Sequence, residues 1–271
     1  MGRIINSYLS SCERLGHISN WHATKLITTN VKEANTQSKL YANVGLWAGV
    51  LFETALLTDQ LEELLRHPNI LGIKAFLSPL PPNAGYQAVT PKQLLEVANS
   101  VDLSNKPILV HFKLMTLKEC NGSCDNLYDA HVKSRPTKWE QDAVNLVVEC
   151  TSYCGMHVVH LSDAIGCLQI IERATEEFQE SNGLRRKLTV ETCPHYLLLD
   201  SNQTQDGDTK VKCFPPIKEK EQRQKLWRGV LSCLIDIIAS DHSPCKPYMR
   251  EQSLRNAWGG LIGLQYQLQA T

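Results

Sequence analysis

Five side chains that could hold a metal ion or move a proton follow one pattern: each comes late in, or just after, a short apolar run. They are Lys74 in Ile70-Leu-Gly-Ile-Lys-Ala-Phe-Leu77, His111 closing Pro107-Ile-Leu-Val-His111, and His160 in Met156-His-Val-Val-His-Leu161. His195 closes Leu188-Thr-Val-Glu-Thr-Cys-Pro-His195, and Asp241 follows Ile237-Ile-Ala239. Imidazole and carboxylate are usual ligands for zinc in a hydrolytic site. A carboxylate there can also serve as general base. Lysine is almost never fully buried unless paired, so Lys74 between Ile73 and Ala75 calls for a partner. Taken singly, a late-strand histidine reads as a hydrogen-bonded core residue. Three His, one Asp and one Lys at successive strand ends are hard to explain by packing.

The elements that must position these residues alternate. Tyr41–Leu51 reads as the first clear strand, Thr58–His67 as a helix with apolar residues at 61, 64 and 65, and Ile70–Leu77 as a strand. Thr90-Pro-Lys-Gln93 carries a capping box and a proline at the first helical position. Thr137-x-x-Glu140 predicts a second capping box, opening a helix through Val144 and Val148 that stops near Gly155. Ser162 or Asp163 caps the next helix, apolar at 165, 168, 171 and 174. A further helix spans Glu221–Leu231, and Ala257-Trp-Gly-Gly260 begins a last helical segment. Residues 112–134 read as a long polar connection and residues 1–40 as a poorly patterned segment preceding a barrel domain over 41–271. His157 falls on the opposite strand face from His160 and reads as structural. His17, His22, His67 and His131 read as solvated.

Strand–helix alternation repeated about six times predicts a parallel sheet covered by helices. No Rossmann or P-loop glycine pattern is present. A (β/α) barrel, incomplete, fits better than a doubly wound sheet, because a barrel gathers five late-strand side chains at one mouth.

Composition narrows the function. Of 271 residues, 42% are hydrophobic and 21% charged, enough to bury a full core. Lys+Arg and Asp+Glu are 28 each, which gives no electrostatic reason to expect nucleic acid or an anionic membrane as partner. No apolar run approaches the ~18 residues of a membrane span, and the first twelve residues lack a signal-peptide core, so a soluble intracellular protein is expected. Ten cysteines in that setting read as reduced thiols. Two pairs have C-x3-C spacing, but Cys150 and Cys154 fall on one helix and Cys120–Cys124 spans an ordinary turn, so a four-thiolate zinc site is not expected.

Five segments closely resemble allantoinases, cyclic amidohydrolases related to dihydroorotases and hydantoinases. They are Val159-His-Leu-Ser-Asp-Ala164, Glu191-Thr-Cys-Pro-His-Tyr-Leu197, Gly207-Asp-Thr-Lys-Val-Lys-Cys-Phe-Pro-Pro-Ile217, Ser240-Asp-His-Ser-Pro244 and Ala257-Trp-Gly-Gly260. The resemblance runs in order through residues 41–271. It implies a (β/α)8 TIM-type barrel with two zinc or similar ions bridged by a carboxylated lysine, working as a homo-oligomer, a homotetramer in the family. Lys74 matches that lysine, His111 and His160 match two metal-binding histidines, and Asp241 matches the aspartate that binds metal and shuttles the proton. Cys193, His195, Phe214 and Pro215 match substrate-side positions. The implied reaction opens the hydantoin ring of allantoin to allantoate.

The chain departs from the family at several points. No H-x-H pair occurs, although the family holds its first metal with one, so one zinc ion or none is expected in this chain. The first two barrel strands and the small β-sandwich are expected to be missing. Phe112-Lys113 stands where a small residue and Glu are usual, Ser78-Pro-Leu-Pro81 replaces Cys-Pro-Ser-Gly, and Phe214 replaces a small residue. Alternative readings are a non-catalytic amidohydrolase-like protein, as a truncated isoform or degenerate paralogue, and a dihydroorotase- or hydantoinase-type cyclic amidase.

Overall fold

The computed structural model describes residues 4–6, 43–53, 55–77, 87–103, 106–111, 127–180, 188–264 and 267. Among the described residues the strands are β1 Ile4–Asn6, β2 Asn43–Val50, β3 Ile70–Phe76, β4 Ile108–His111, β5 Met156–Val158, β6 Leu188–Thr192 and β7 Ile237–Ile238. Helices among the described residues lie between them: α1 Thr58–Leu65, α2 Pro91–Ser100, α3 Tyr128–Lys133, α4 Thr137–Cys150, α5 Ala164–Glu180, α6 Pro194–Leu198 and α7 Lys220–Leu231. The chain divides into two compact units. The first comprises Met1–His111 with Glu149–His157, the second Phe112–Val148 with Val158–Thr271.

In the first unit β1, β2, β3 and β4 pair in sequence order, all parallel. β3 shows why this segment is a strand of a covered parallel sheet. Ile70, Gly72, Ile73, Lys74 and Ala75 are all buried, so both faces of the strand are packed. Gly72 suits close backbone approach, since a Cβ there would run into the Pro107 carbonyl. α1 turns Leu61, Leu64 and Leu65 inward, and α2 does the same with Leu94, Val97 and Ala98. Burying each Leu or Val contributes about 1.5–3 kcal/mol. The α2 capping box is complete: Thr90 Oγ1 accepts from Gln93 N–H at 3.2 Å, and Gln93 Oε1 accepts from Thr90 N–H at 3.0 Å.

In the second unit β6 and β7 are parallel, with Glu191 opposite Ile237 and Thr192 opposite Ile238. The Asp236 carboxylate extends this ladder by accepting from Val190 N–H at 2.8 Å. Asp163 caps α5, its Oδ1 accepting from Gly166 N–H at 3.4 Å. Gln222 on α7 completes that helix start by accepting from Ala164 and Ile165 N–H at 2.7 and 3.0 Å. Parallel strands with intervening helices in this order are the element pattern of a TIM-type (β/α) barrel, here with fewer than eight described strands.

Several sequence expectations change. A short strand, β1, lies within the segment expected to be unpatterned. The connection over 112–134 contains α3, six residues long and too short to show a helical period. His131 on that helix is buried, not solvated: it contacts the Cys213 carbonyl through Nε2 at 3.2 Å and Arg135 Nη1 through Nδ1 at 3.0 Å. Helix α4 starts at Thr137 itself, and the Glu140 carboxylate serves a tertiary network instead of a capping box. On α5 the buried stripe is 164, 167, 168, 171 and 174, while Ile165 is exposed. No helix starts at Ala257; Trp258 N–H donates to the Met249 carbonyl, and Leu261 forms a bridge with His242. Phe112, Lys113, Ser78–Pro81, Cys120, Cys124, His17 and His22 lie outside the described residues.

Candidate functional site

In the first unit, β3 and β4 bring two of the expected residues to one sheet face. Phe76 is opposite His111 and Lys74 is opposite Leu109, so period-2 alternation puts Lys74, Phe76, Leu109 and His111 on the same side. The Phe76 ring lies 5.7 Å from Lys74 Nζ and 5.2 Å from the His111 ring. Lys74 is only 5% exposed.

In the second unit the expected residues leave regular strand geometry. β5 stops at Val158, and His160 sits two residues beyond it with φ +41°. Asp241 sits three residues beyond β7 with φ +42°. Positive φ is uncommon outside glycine and costs energy that the surrounding structure must offset. His160 N–H donates to Glu191 Oε1 at 3.3 Å, and Leu161 N–H to the Glu191 carbonyl at 2.8 Å. Just past His160, Ser162 and Asp163 N–H donate to Glu140 Oε1 at 2.6 and 2.8 Å. Ser162 Oγ and Lys218 Nζ each reach Glu140 Oε2 at 2.9 Å, and Lys218 also contacts Ser162 Oγ. Burial alone would raise the Glu140 pKa; Lys218 and the two backbone donors more than offset this and hold it below the ordinary carboxylate value.

His195 also differs from its expected place. β6 ends at Thr192, Cys193 is extended with φ −124°, and Pro194 and His195 open helix α6. Cys193, His195 and Asp241 come together, with one donor atom from each within 4.8 Å of the others. Among the described residues this is the group of three or more His, Cys, Asp or Glu side chains arranged to hold a metal ion. His195 is 5% exposed, and neither Nδ1 nor Nε2 meets a hydrogen-bond partner. Burial pushes its pKa down to about 3, so the imidazole is neutral at pH 7, the form that ligates metals. A buried imidazole lacking hydrogen-bond partners, with sulfur and carboxylate donors nearby, fits a divalent ion of the zinc kind.

Phe214 and Pro215, joined by a cis peptide bond, lie in the connection before α7. Pro215 carbonyl accepts from Tyr196 Oη at 2.6 Å. The Phe214 ring lies against His131 at 5.5 Å, Arg135 at 4.5 Å and Lys212 at 5.5 Å. A Cβ on Gly259 would collide with this ring, so glycine there suits the close packing. Lys212 is buried and donates to the Arg255 and Ala257 carbonyls at 2.8 and 2.6 Å. Desolvation, with a smaller effect from Arg135, lowers its pKa to about 8. Sequence reasoning gave Glu140 to a capping box and His131 to solvent, and assigned no role to Lys218 or Lys212. A polar residue inside the apolar face of α4 was the available signal for Glu140; its partner Lys218 lies 78 residues away, a separation that carries no local pattern.

The fold resembles solved cyclic amidohydrolases. L-hydantoinase from Arthrobacter aurescens matches with TM-score 0.70 at 20% identity, over 90% of this chain and 54% of that one. Dihydroorotase from Saccharomyces cerevisiae matches with TM-score 0.64 at 13% identity, over 91% and 66%. No protein-family model matches the chain. An allantoinase from Arabidopsis thaliana is 35% identical over 259 residues, 90% of this chain and 49% of that protein. A mitochondrial allantoinase from Aquarana catesbeiana is 32% identical over 275 residues, 98% of this chain and 52% of that protein. The chain belongs to the allantoinase family of cyclic amidohydrolases, and it spans about half the length of the curated relatives it matches. No described helix is long and apolar enough to cross a membrane.

Proposed function

We propose that this chain acts as a metal-dependent hydrolase that opens the hydantoin ring of allantoin to allantoate. The observation that carries the reading is the 35% identity to the Arabidopsis thaliana allantoinase across 90% of the chain. Lys74 in carboxylated form, His111, His160 and Asp241 are the proposed zinc ligands. Cys193, His195, Phe214 and Pro215 are the proposed substrate-side residues, and the working form is a homo-oligomer. A bound divalent ion supplies Lewis acidity toward the ring carbonyl and the attacking water. The Asp241 carboxylate takes a proton from that water as its oxygen bonds the ring carbonyl carbon. The same proton passes to the ring nitrogen as the C–N bond breaks.

The test is allantoate formation by the purified chain loaded with zinc. Asp241→Asn should lower kcat by ~100- to ~10,000-fold, the usual worth of general acid–base help. Zinc-loaded chain that leaves allantoin untouched would overturn the proposal in favour of a non-catalytic amidohydrolase-like protein.

A further inference from the structure

We propose that Cys193, His195 and Asp241 form a thiolate-containing site for one zinc-like ion, a donor set distinct from Lys74, His111 and His160 and sharing Asp241 with it. This moves Cys193 and His195 from the substrate side to the metal. It stands on the geometry of the second unit alone and does not rest on allantoin as substrate.

Local sequence sets the geometry. Pro194 disfavours helical backbone at the residue before it, and Cys193 is extended, φ −124° and ψ 151°. His195 is already helical, so Cys-Pro-His turns sulfur and imidazole toward one point from two different backbone states. Asp241 reaches the same point from beyond β7, where φ +42° holds its carboxylate. The three donor atoms lie within 4.8 Å of one another. Tetrahedral zinc with bonds of ~2.0–2.3 Å needs donors about 3.3–3.6 Å apart, so binding has to draw in any pair that lies near the 4.8 Å limit.

A purely structural role accounts for less. A buried cysteine can be an inert packing group, and the His195 ring does lie 4.2 Å from the Tyr196 ring. Packing leaves two nitrogens of a 5%-exposed imidazole without hydrogen bonds, which costs free energy. One Nitrogen–metal bond removes part of that cost. Sulfur in the donor set selects Zn2+, Co2+ or Cd2+ over Mg2+ or Ca2+. On binding, the Cys193 S–H bond breaks, sulfur keeps the electron pair for the metal, and the proton goes to solvent.

Cobalt titration of metal-stripped chain tests this through a property other than turnover. Bound Co2+ should show a near-ultraviolet thiolate-to-cobalt charge-transfer band. Cys193→Ser should abolish the band, and Lys74→Ala and His111→Ala should keep it. His195→Ala should weaken cobalt affinity at least ~10-fold, as loss of one direct ligand does at minimum. Cobalt bound without the band, or a band that survives Cys193→Ser, overturns the proposal. If Cys193→Ser loses its far-ultraviolet circular dichroism, His195→Ala decides: unchanged cobalt affinity overturns the site, and the expected loss supports it. Failure to hydrolyse allantoin with the cobalt band intact would count against the substrate alone.

Discussion

The two units present their candidate site residues by different means. In the first, Lys74, Phe76 and His111 stand on paired strands, and the period of two fixes their common face. In the second, His160, Cys193, His195 and Asp241 come after the strands have ended. Two of them occupy left-handed backbone, one opens a helix, and a buried network of Glu140, Ser162, Asp163 and Lys218 braces the segment just past His160. A regular strand places a residue by local repetition, whereas an irregular segment needs tertiary contacts to keep its conformation. The second unit should therefore be the more sensitive to loss of a single buried polar contact.

The largest effect is expected at the buried ion pair. Glu140 and Lys218 side chains are 6% and 4% exposed. Removing one partner strands the other charge, so Lys218→Ala should cost roughly 3–5 kcal/mol in urea denaturation, while Glu140→Leu with Lys218→Met should recover most of it. A loss below about 1 kcal/mol for Lys218→Ala would mean that the network is not what braces this segment. pH sharpens the same contrast. The Glu140 pKa is lowered in the fold, so its contribution is complete above the ordinary value of 4.5 and is lost as pH falls through the lower folded value. Acid titration of stability should show this limb in the native protein and lack it in Glu140→Gln.

A smaller effect is expected in the first unit. Thr90→Ala removes one side of a complete capping box and should cost about 1 kcal/mol. On the same helix the Lys92–Glu96 pair has side chains 87% and 42% exposed, and Lys92→Ala should change the denaturation midpoint hardly at all. Equal costs for Thr90→Ala and Lys218→Ala would erase the difference between the units.

This contrast also explains what was legible in the sequence. β3, β4, α1 and α2 follow directly from apolar period and the Thr90–Gln93 signal, because local preference and tertiary packing agree there. The five family-like segments were also legible, and they contain His160, Cys193, His195, Phe214, Pro215 and Asp241, whereas Lys74 and His111 stand outside them. The conformations at those residues were not. A strand seemed to run through His160 and through His195 because apolar neighbours continue past the last ladder hydrogen bond. Glu140 matched a capping box because Thr-x-x-Glu spacing is local, while the contacts that claim its carboxylate come from Ser162, Asp163 and Lys218. The Cys193–His195–Asp241 group joins one local pair to a residue 46 positions beyond His195, and only the folded chain brings Asp241 to them.

The left-handed backbone at Asp241 has a consequence for selection. Glycine occupies that region without the Cβ penalty of about 1–2 kcal/mol. Asp241→Gly removes that strain, but it also removes the carboxylate's own contacts and frees the unfolded chain, so the change in melting temperature reads the balance of the three. A lineage freed from any need for that carboxylate would be expected to drift toward glycine or asparagine at this position. A melting temperature that rises in Asp241→Gly would mark the aspartate as held against stability, and one that falls would mark its contacts as worth more than the strain.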